Sequence, residues 1–484
     1  MAKVALRAYL SPTLVFLAFD WPDGAQRQDF LGFAIERSPG HKPGVNSDFL
    51  FNKIGFGKPA TDPGPHSSDK APIQKFHWWD SGINTTDRGK KFTYTVYPVC
   101  GTGPNDLQLI KGDASSIDVT VPLIKQNGIA TYFNRAVVSS QSFKTLQTQS
   151  HNNLIKEMNW LANGMEGAIP DFLTGSQPCA GAIYHLTDKL WVTPAMENYK
   201  GDLSMVYHLK QPTAAAIAKA AAKGKKASGD TADLPAVQQL TSNKHKFFPR
   251  TKTSIMHHKF LVLNSGGAPA SVLMGSANFT PEAFTVQANL LHTFDSRQLA
   301  NCYFARQQLL KNDPTKGDTA KGAKWQTVTD IPGTKLRLFF SPEPKGHRNS
   351  IDAVVASVKG AKKSVLFCIF DPTDKDLLEA IMKAGDNGKM MHGLINSITD
   401  PSGKKVKDPE KAMANPTPAM QVKTEVYHRS RHKRTLSRSH ISEPKTRKRR
   451  RVFCLNCPRW IRASTASHHR AKVCQRFIFI INSL

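Results

Sequence analysis

Features of a membrane or exported protein are missing from this 484-residue sequence. It has no run of about 18 apolar residues, so no conventional membrane-spanning helix is expected. The apolar stretch near the N-terminus is interrupted by Arg7 and Pro12, and no small-residue cleavage site follows it. We therefore interpret this stretch as an opening β-strand and not as a signal peptide. Peripheral contact with a membrane, or export by another route, stays open.

Cysteine is scarce and scattered along most of the chain. Cys100, Cys179, Cys302 and Cys368 stand alone in apolar or strand-like surroundings. Isolated cysteines of this kind are most often buried free thiols, and free thiols persist in a reducing compartment. The sequence thus favours a cytoplasmic protein.

Acidic residues are few compared with basic ones, and the net charge is +29. Such a balance favours anionic partners, namely nucleic acid, anionic lipid or phosphorylated substrates. The excess is uneven, because residues 428–484 contain 16 Lys and Arg but a single acid, Glu443. The same segment has no glycine, and we expect a disordered basic tail there.

Strand-like runs separated by Gly, Pro, Asn and Asp fill residues 1–125 and predict a small all-β sandwich of the immunoglobulin or fibronectin type III kind. The aromatic stretch Phe76 to Trp79 is interpreted as core or a loop anchor, with a carbohydrate or lipid platform as the alternative. Residues 126–335 and 336–427 are of α/β type. Thr187-Asp188-Lys189 and Thr373-Asp374-Lys375 each follow an apolar strand and precede leucines, which indicates a duplicated α/β fold.

The stretch from Ile255 to Thr280 holds the residues best suited to chemistry. Two apolar, strand-like runs flank a turn; the first includes His257, His258 and Lys259, and the second ends in Gly275, Ser276 and Asn278. Side chains alternate along a strand, so His257 and Lys259 are expected on one face and His258 on the other. An imidazole beside a fixed cation and small polar groups suits a phosphate ester.

His257-x-Lys259-x4-Asn264 followed by Gly275-Ser276-x-Asn278 resembles the H-x-K-x4-D and G-S-x-N signature of the phospholipase D superfamily. The resemblance spans about residues 126–427. It implies an α/β/α sandwich made of two similar halves that share one cleft. It also implies a phosphodiesterase that forms a phosphohistidine on His257, with Lys259 and Asn264 in the catalytic group and Gly275, Ser276 and Asn278 at the substrate phosphate. No metal or organic cofactor is implied.

The chain departs from the family pattern at several places. Asn264 replaces an aspartate, and the loop Ser265 to Met274 is predicted to be long. Gln287-Ala288-Asn289 stands where the family often has N-x-E. No second H-x-K occurs between residues 430 and 470, where the repeat would place it. We therefore expect the second half, 336–427, to be incomplete.

The tail allows a separate hypothesis. Cys454, Cys457, His468 and Cys474 have the spacing of a zinc knuckle, and the run Thr446 to Arg451 suits nucleic acid. We favour a frame-shifted or replaced C-terminus over this zinc module.

Three functions follow from these residues. The preferred one is a phospholipase D-like enzyme that hydrolyses or transfers phosphatidyl groups of a phospholipid. The alternatives are a nuclease of the same superfamily and a catalytically inactive truncated paralogue or binding protein. Because the chain has a single motif, a homodimer that brings two His257 residues together is a further hypothesis.

Overall fold

A computed structural model of the chain describes residues 2–57, 64–136, 153–222, 224, 229–334, 336–369 and 374–395. The predicted basic tail 428–484, with the four zinc candidates Cys454, Cys457, His468 and Cys474, lies outside the described residues. The chain divides into two compact bodies, Met1–Phe133 and Asn134–Leu484, called here the N-terminal and C-terminal bodies.

The N-terminal body is formed mainly by antiparallel strands. One sheet has the order β1-β2-β7, and a second has the order β10-β8-β3-β4 with β9 on β8. β5 pairs with β6, and β11 with β12. The bounds are β1 Ala5–Ser11, β2 Leu14–Asp20, β3 Phe30–Ser38, β4 Asp48–Phe49, β5 Phe51–Asn52, β6 His66–Ser67, β7 His77–Asp80, β8 Lys91–Gly103, β9 Asp106–Leu109, β10 Ser115–Thr120, β11 Lys125–Gln126 and β12 Ile129–Phe133.

Alternation along the strands builds one core between the two main sheets. Val15 and Leu17 of β2 are fully buried in the same cluster as Ile35 of β3 and Tyr94 of β8. Burying every second side chain is the expected behaviour of a strand with one face in the core.

The aromatic stretch of β7 divides between the two faces of its sheet. Trp78 packs against the core, whereas the rings of His77 and Trp79 stack with Phe16 at centroid distances of 5.7 and 6.4 Å. Phe76 is 59% exposed. The core position is thus observed for Trp78, whereas Phe76 lies just before β7 with its ring edge-on to Phe33, which fits the loop-anchor interpretation.

The C-terminal body contains a mixed sheet in which six strands are hydrogen-bonded in the order β18-β17-β16-β13-β14-β15. β13, β14 and β15 are parallel, while β16, β17 and β18 run antiparallel to their neighbours. The bounds are α1 Leu154–Ala162, α2 Met165–Phe172, β13 Cys179–Ile183, α3 Val192–Asn198, β14 Leu203–His208, α4 Ala214–Ala221, α5 Leu234–Ser242, β15 Lys246–Arg250, β16 Lys259–Ser265, β17 Ala268–Gly275, α6 Pro281–Thr285, β18 Leu290–Phe294, α7 Arg297–Lys311, α8 Lys316–Ala320, β19 Gln326–Val328 and β20 Leu336–Leu338.

The central strands are covered, as their composition requires. Lys259 to Val262 of β16 are consecutively buried, a pattern typical of a strand with elements on both faces. Tyr303 of α7 packs its ring edge-on against Phe260 at 4.9 Å. The sequence predicts an amphipathic helix around Asn153 to Ala162, and α1 confirms it; the Asn153 side chain caps this helix by accepting from the Lys156 N–H.

A second strand–helix–strand segment follows, with its own small core around Val355, Leu377 and Ile381. The bounds are α9 Asn349–Gly360, β21 Ser364–Ile369, α10 Lys375–Asp386 and β22 Met390–Ile395. β21 and β22 are parallel, as are β13 and β14. We call β13-α3-β14 the first βαβ motif and β21-α10-β22 the second.

Asp188 and Asp374 mark the helix start in both motifs. Asp188 Oδ1 accepts from the N–H groups of Trp191 and Val192, and Asp374 Oδ1 accepts from Leu377 N–H. Both carboxylates thus satisfy N–H groups that have no partner within the helix. The common order is compatible with the predicted duplication, which itself stays a prediction.

In the part of the chain that the structure describes, no helix is long and apolar enough to cross a membrane.

Candidate active site

Apart from Asn264, the predicted residues of the motif lie at one edge of the mixed sheet. Ile183, the last residue of β13, pairs with Tyr207 of β14 and with Lys259, the first residue of β16. The ends of β13 and β14 and the start of β16 therefore coincide. Crevices at the carboxyl ends of parallel strands are the usual location of ligand sites in α/β sheets.

The hairpin that joins the two halves of the motif is tighter than predicted. β16 begins at Lys259 and not near Ile255, and most of the predicted loop Ser265 to Met274 is strand β17. The turn itself is Gly266-Gly267, with φ of +62° and +77°. Two successive positive φ angles are typical of the type I′ turn that fits the twist of a two-residue hairpin.

His257 and Lys259 share one environment, as the alternation predicted. The ring of His257 lies 5.0 Å from the ring of Tyr184, and Lys259 Nζ lies 5.2 Å from the same ring. Lys259 Nζ also donates to the backbone oxygen of His257 at 3.2 Å. The buried ammonium is thereby held beside the imidazole.

His258 lies on the opposite side of the chain. Its Nε2 accepts from Arg306 Nε at 3.4 Å, and its ring meets Phe260 edge-on. Burial and the positive charge of Arg306 hold the pKa of His258 well below its usual range. His258 is thus a neutral part of the packing.

Burial and, next in size, the positive charge of Lys259 together lower the pKa of His257 to about 3. Desolvation disfavours the charged imidazolium, and a nearby cation repels it. Consequently His257 is neutral near pH 7. A neutral imidazole has the lone pair that a nucleophile requires.

Gly275 is required by the close approach of β18. A Cβ at this position would lie 2.2 Å from the backbone oxygen of Leu290. Asn278 follows three residues later, and its Oδ1 is buried without a hydrogen-bond partner among the described residues. The unpartnered atom is an acceptor, so a contact of this side chain with a phosphate oxygen requires its Nδ2 and stays a prediction.

Ser276 is engaged within the protein. Its hydroxyl donates to Asn289 Oδ1 at 2.9 Å and accepts from Leu290 N–H at 3.1 Å. Asn289, which stands near the acidic position of the family pattern, also donates through Nδ2 to the Ala283 oxygen. In this arrangement Ser276 and Asn289 hold the corner between β17 and β18, and a phosphate contact of Ser276 stays a prediction.

Asn264 is separated from the other predicted residues. It lies near the end of β16 that is opposite Lys259, next to a β-bulge, and pairs with Pro269. At a rise of about 3.3 Å per residue, the five steps from Lys259 amount to roughly 16 Å. The structure therefore does not bring Asn264 to His257.

Several polar residues at this edge were not anticipated from the sequence. Tyr184 and His185 follow β13, and His208 ends β14. Asp230 and Asp233 reach them from the segment before α5: His185 Nδ1 lies 3.8 and 3.6 Å from these two carboxylates. The sequence does contain an indication of these residues, because a Tyr-His pair stands at the end of each of two apolar segments that form parallel strands.

His208 holds in place the backbone that leads into the motif. Its Nδ1 accepts from Met256 N–H at 3.4 Å, and its Nε2 lies 3.6 Å from Asp230 Oδ2. Burial lowers its pKa. Tyr184 adds a bond from its hydroxyl to Asp230 Oδ2 at 3.3 Å. No group of three or more His, Cys, Asp or Glu within the described ranges could hold a metal ion.

Comparison with known proteins yields structural matches. Nuc from Salmonella typhimurium, a phospholipase D family member, is 15% identical over 31% of this chain and 86% of its own, with a TM-score of 0.23. Phosphatidylserine synthase from Haemophilus influenzae is 13% identical over 48% of this chain and 60% of its own, with a TM-score of 0.33.

Polyphosphate kinase from Porphyromonas gingivalis also matches, at 10% identity over 49% of this chain and a TM-score of 0.32, and the match spans only 36% of the kinase. No protein family profile and no curated protein sequence matches. At such low identities and TM-scores the overlap concerns fold elements alone, so the chemistry of the chain depends on its own side chains.

Proposed function

We propose that the chain is a phospholipase D-like phosphodiesterase in which His257 attacks the phosphorus of a phosphodiester and forms a phosphohistidine. The observation that supports this most is the pairing of a neutral, desolvated imidazole with a buried ammonium, His257 and Lys259. A buried charge is costly unless it is hydrogen-bonded or paired, and the Lys259 ammonium is hydrogen-bonded to the His257 backbone oxygen, directly beside the imidazole.

The residues fit successive parts of this reaction. His257 supplies the electron pair for the bond to phosphorus. Lys259 offsets the negative charge that accumulates on the phosphoryl oxygens in the five-coordinate state. The amide of Asn278 supplies a neutral donor to a non-bridging oxygen. Water, or a second alcohol, then cleaves the phosphohistidine and gives hydrolysis or transfer of the phosphatidyl group.

The proposed substrate is a phospholipid, and the test is headgroup release from phosphatidylcholine vesicles. His257→Ala is expected to lower the rate by about 10³-fold or more, because removal of a nucleophile eliminates the covalent route. His292→Gln, a substitution on β18, is the matched control and should retain the wild-type rate. Equal rates for wild type and His257→Ala would remove His257 from the mechanism.

The net charge of +29 favours a second substrate class, nucleic acid. Cleavage of plasmid DNA in the presence of EDTA tests it, because the proposed chemistry uses no metal. Activity on DNA that depends on His257, without activity on vesicles, would make the chain a nuclease. Absence of both activities would favour an inactive paralogue or a binding protein.

A further inference from the structure

We propose that His185, in the same half of the fold as His257, donates the proton to the leaving oxygen and takes it back from the attacking water. This inference rests on the proposed function. When phosphorus binds His257, the bond to the leaving oxygen breaks, and an alkoxide is a poor leaving group unless it is protonated. A general acid at hydrogen-bonding distance is therefore needed.

The groups around Tyr184 differ in their ability to move a proton. Lys259 Nζ is held by the His257 oxygen beside that ring. His208 is 2% exposed, and its Nδ1 already accepts from Met256 N–H. The side chain of His185 is 25% exposed. Of these three, His185 alone combines an imidazole with access to the open edge of the sheet.

The carboxylates beside His185 set its orientation. Asp233 is buried and fixed, because its Oδ1 accepts from Leu186 N–H at 2.9 Å. Its Oδ2 is buried without a hydrogen-bond partner among the described residues. With Nδ1 of His185 only 3.6 Å from Asp233, a small movement completes an Nδ1–H bond to the carboxylate. Nε2 is then the nitrogen that faces the substrate, as in other carboxylate-oriented histidines.

The two imidazoles lie against one ring. Tyr184 has its centroid 3.9 Å from that of His185 and 5.0 Å from that of His257. Tyr184 also donates to Asp230, the second carboxylate beside His185. The nucleophile and the proposed acid are thus held in one group of side chains at the same edge of the sheet.

The proposed steps balance. The lone pair of His257 forms the N–P bond, the P–O bond to the leaving group breaks, and its electron pair takes the proton of His185. The alcohol departs and His185 is neutral. A water molecule then gives one proton to His185 while its oxygen bonds to phosphorus and the N–P bond breaks. Both histidines return to their starting states, and the products are an alcohol and a phosphomonoester.

The experiment compares two phosphodiesters that differ in the leaving group alone, p-nitrophenolate or an alkyl alcohol. A p-nitrophenolate leaves without prior protonation, whereas an alkoxide does not. His185→Gln is expected to lower kcat/KM for the alkyl substrate by about 10²–10⁴-fold and for the p-nitrophenyl substrate by less than about tenfold. Equal losses with both substrates, or no loss with either, would overturn the proposal.

Asp233→Asn provides a second variant and a test of the positioning residue. It should lower kcat/KM for the alkyl substrate more than for the p-nitrophenyl substrate, as His185→Gln does. Its urea unfolding midpoint should stay close to that of the wild type. If His185→Gln does not fold, the leaving-group ratio of Asp233→Asn decides, and an unchanged ratio counts against His185.

Failure of the proposed phosphodiesterase function would give a different set of results. If His257→Ala retains activity on the p-nitrophenyl substrate, the phosphohistidine route itself is wrong. If His257→Ala is inactive but His185→Gln loses both activities equally, His257 stands and His185 is replaced as the proton donor, for example by His257 of a second copy. His292→Gln should leave both activities unchanged.

Discussion

In the first βαβ motif the chain runs from β13 through Asp188 and α3 to β14; in the second it runs from β21 through Asp374 and α10 to β22. The strands are parallel in both, and each aspartate serves the start of the helix. The sequences I-Y-H-L-T-D-K and I-F-D-P-T-D-K, residues 183–189 and 369–375, align without a gap.

The difference between the motifs concerns polar chemistry. In the first motif Tyr184-His185 follow β13 and Tyr207-His208 end β14, whereas the position aligned with His185 in the second motif is Asp371. Their surroundings differ as well: Asp188 is fully buried, while Asp374 forms an ion pair with Arg348 at the surface. The scaffold residues thus recur, and the imidazoles belong to the first motif.

Among the predictions from this comparison, the largest effect is expected at Lys259, and it tests whether catalysis belongs to the sheet of the first motif. Lys259→Met should lower kcat by about 10²–10³-fold, the usual cost of removing one charge-stabilising group from a transition state. Its positive charge lowers the pKa of His257, so the substitution raises that pKa and moves the acidic limb of the pH–rate profile to higher pH. Lys359→Met, on α9, is the control and should have no effect; similar losses in both variants would contradict the comparison.

The strand glycines test how tightly each motif is packed. At Gly181 in β13 an added Cβ would lie 2.6 Å from the Phe260 backbone oxygen, whereas at Gly393 in β22 the nearest atoms to it would belong to the Phe367 ring. A ring can rotate away, but a backbone in a central sheet cannot. Gly181→Ala should therefore cost about 1–3 kcal/mol of unfolding free energy and Gly393→Ala less, as measured by urea midpoints. The reverse order would show that the second motif is the more rigid one.

The helix-start aspartates should differ in the same direction. Asp188→Ala removes the acceptor of three backbone N–H groups and should cost about 1–2 kcal/mol, more than Asp374→Ala. Thermal unfolding of the two variants under identical conditions provides the measurement. Equal losses of stability would indicate that burial of the Asp188 cap adds nothing to its stabilisation of the helix.

The pH dependence of Asp188→Asn sharpens this result. Burial raises the pKa of Asp188. The carboxyl of Asp188 therefore binds its proton more tightly in the folded wild type than in the unfolded chain. This protonation stabilises the fold fully below the unfolded pKa of about 3.9, and the stabilisation is lost as the pH rises through the raised pKa of the folded state. Asp188→Asn should thus gain stability relative to wild type between pH 4 and pH 7. A constant difference across this range would contradict the raised pKa.

The smallest effect is expected at Arg348, which contacts Asp352, Asp374 and Asp376 at the surface. Exposed ion pairs are screened by salt and contribute little. Arg348→Ala should leave the urea midpoint unchanged at 0.15 M salt within error, with any shift appearing only at low ionic strength. A large shift at high salt would mean that this network supports the second motif structurally.

Much of the scaffold was accessible from the sequence because it depends on local patterns. The sequence alone predicts a helix at Ser350 to Val358, and the structure has α9 there, at Asn349–Gly360. The expectation that His257 and Lys259 share one environment is based on the alternation of side chains along a strand. Such inferences need only residues a few positions apart.

The rest of the site depends on distant pairing. His185 and His208 meet because β13 and β14 are parallel neighbours, and no periodicity within either strand indicates this. Asp230 and Asp233 come from the segment Gln211 to Ser242, whose Ala, Lys and Gly content predicts only a helix with a flexible loop. Asn264 was included through the motif spacing, although strand geometry alone separates it from His257 by most of the length of β16.

The Gly266-Gly267 turn has a consequence for the order of assembly during folding. It makes the contacts between Lys259 and Gly275 local in sequence, and hairpins of this kind form in about 1–10 μs. His185 and Asp233 require closure of much longer loops, which slows their arrival. We expect amides of β16 and β17 to gain protection before those of β13 and β14 in pulsed hydrogen exchange, so the attacking half of the site would exist before its proton donor arrives.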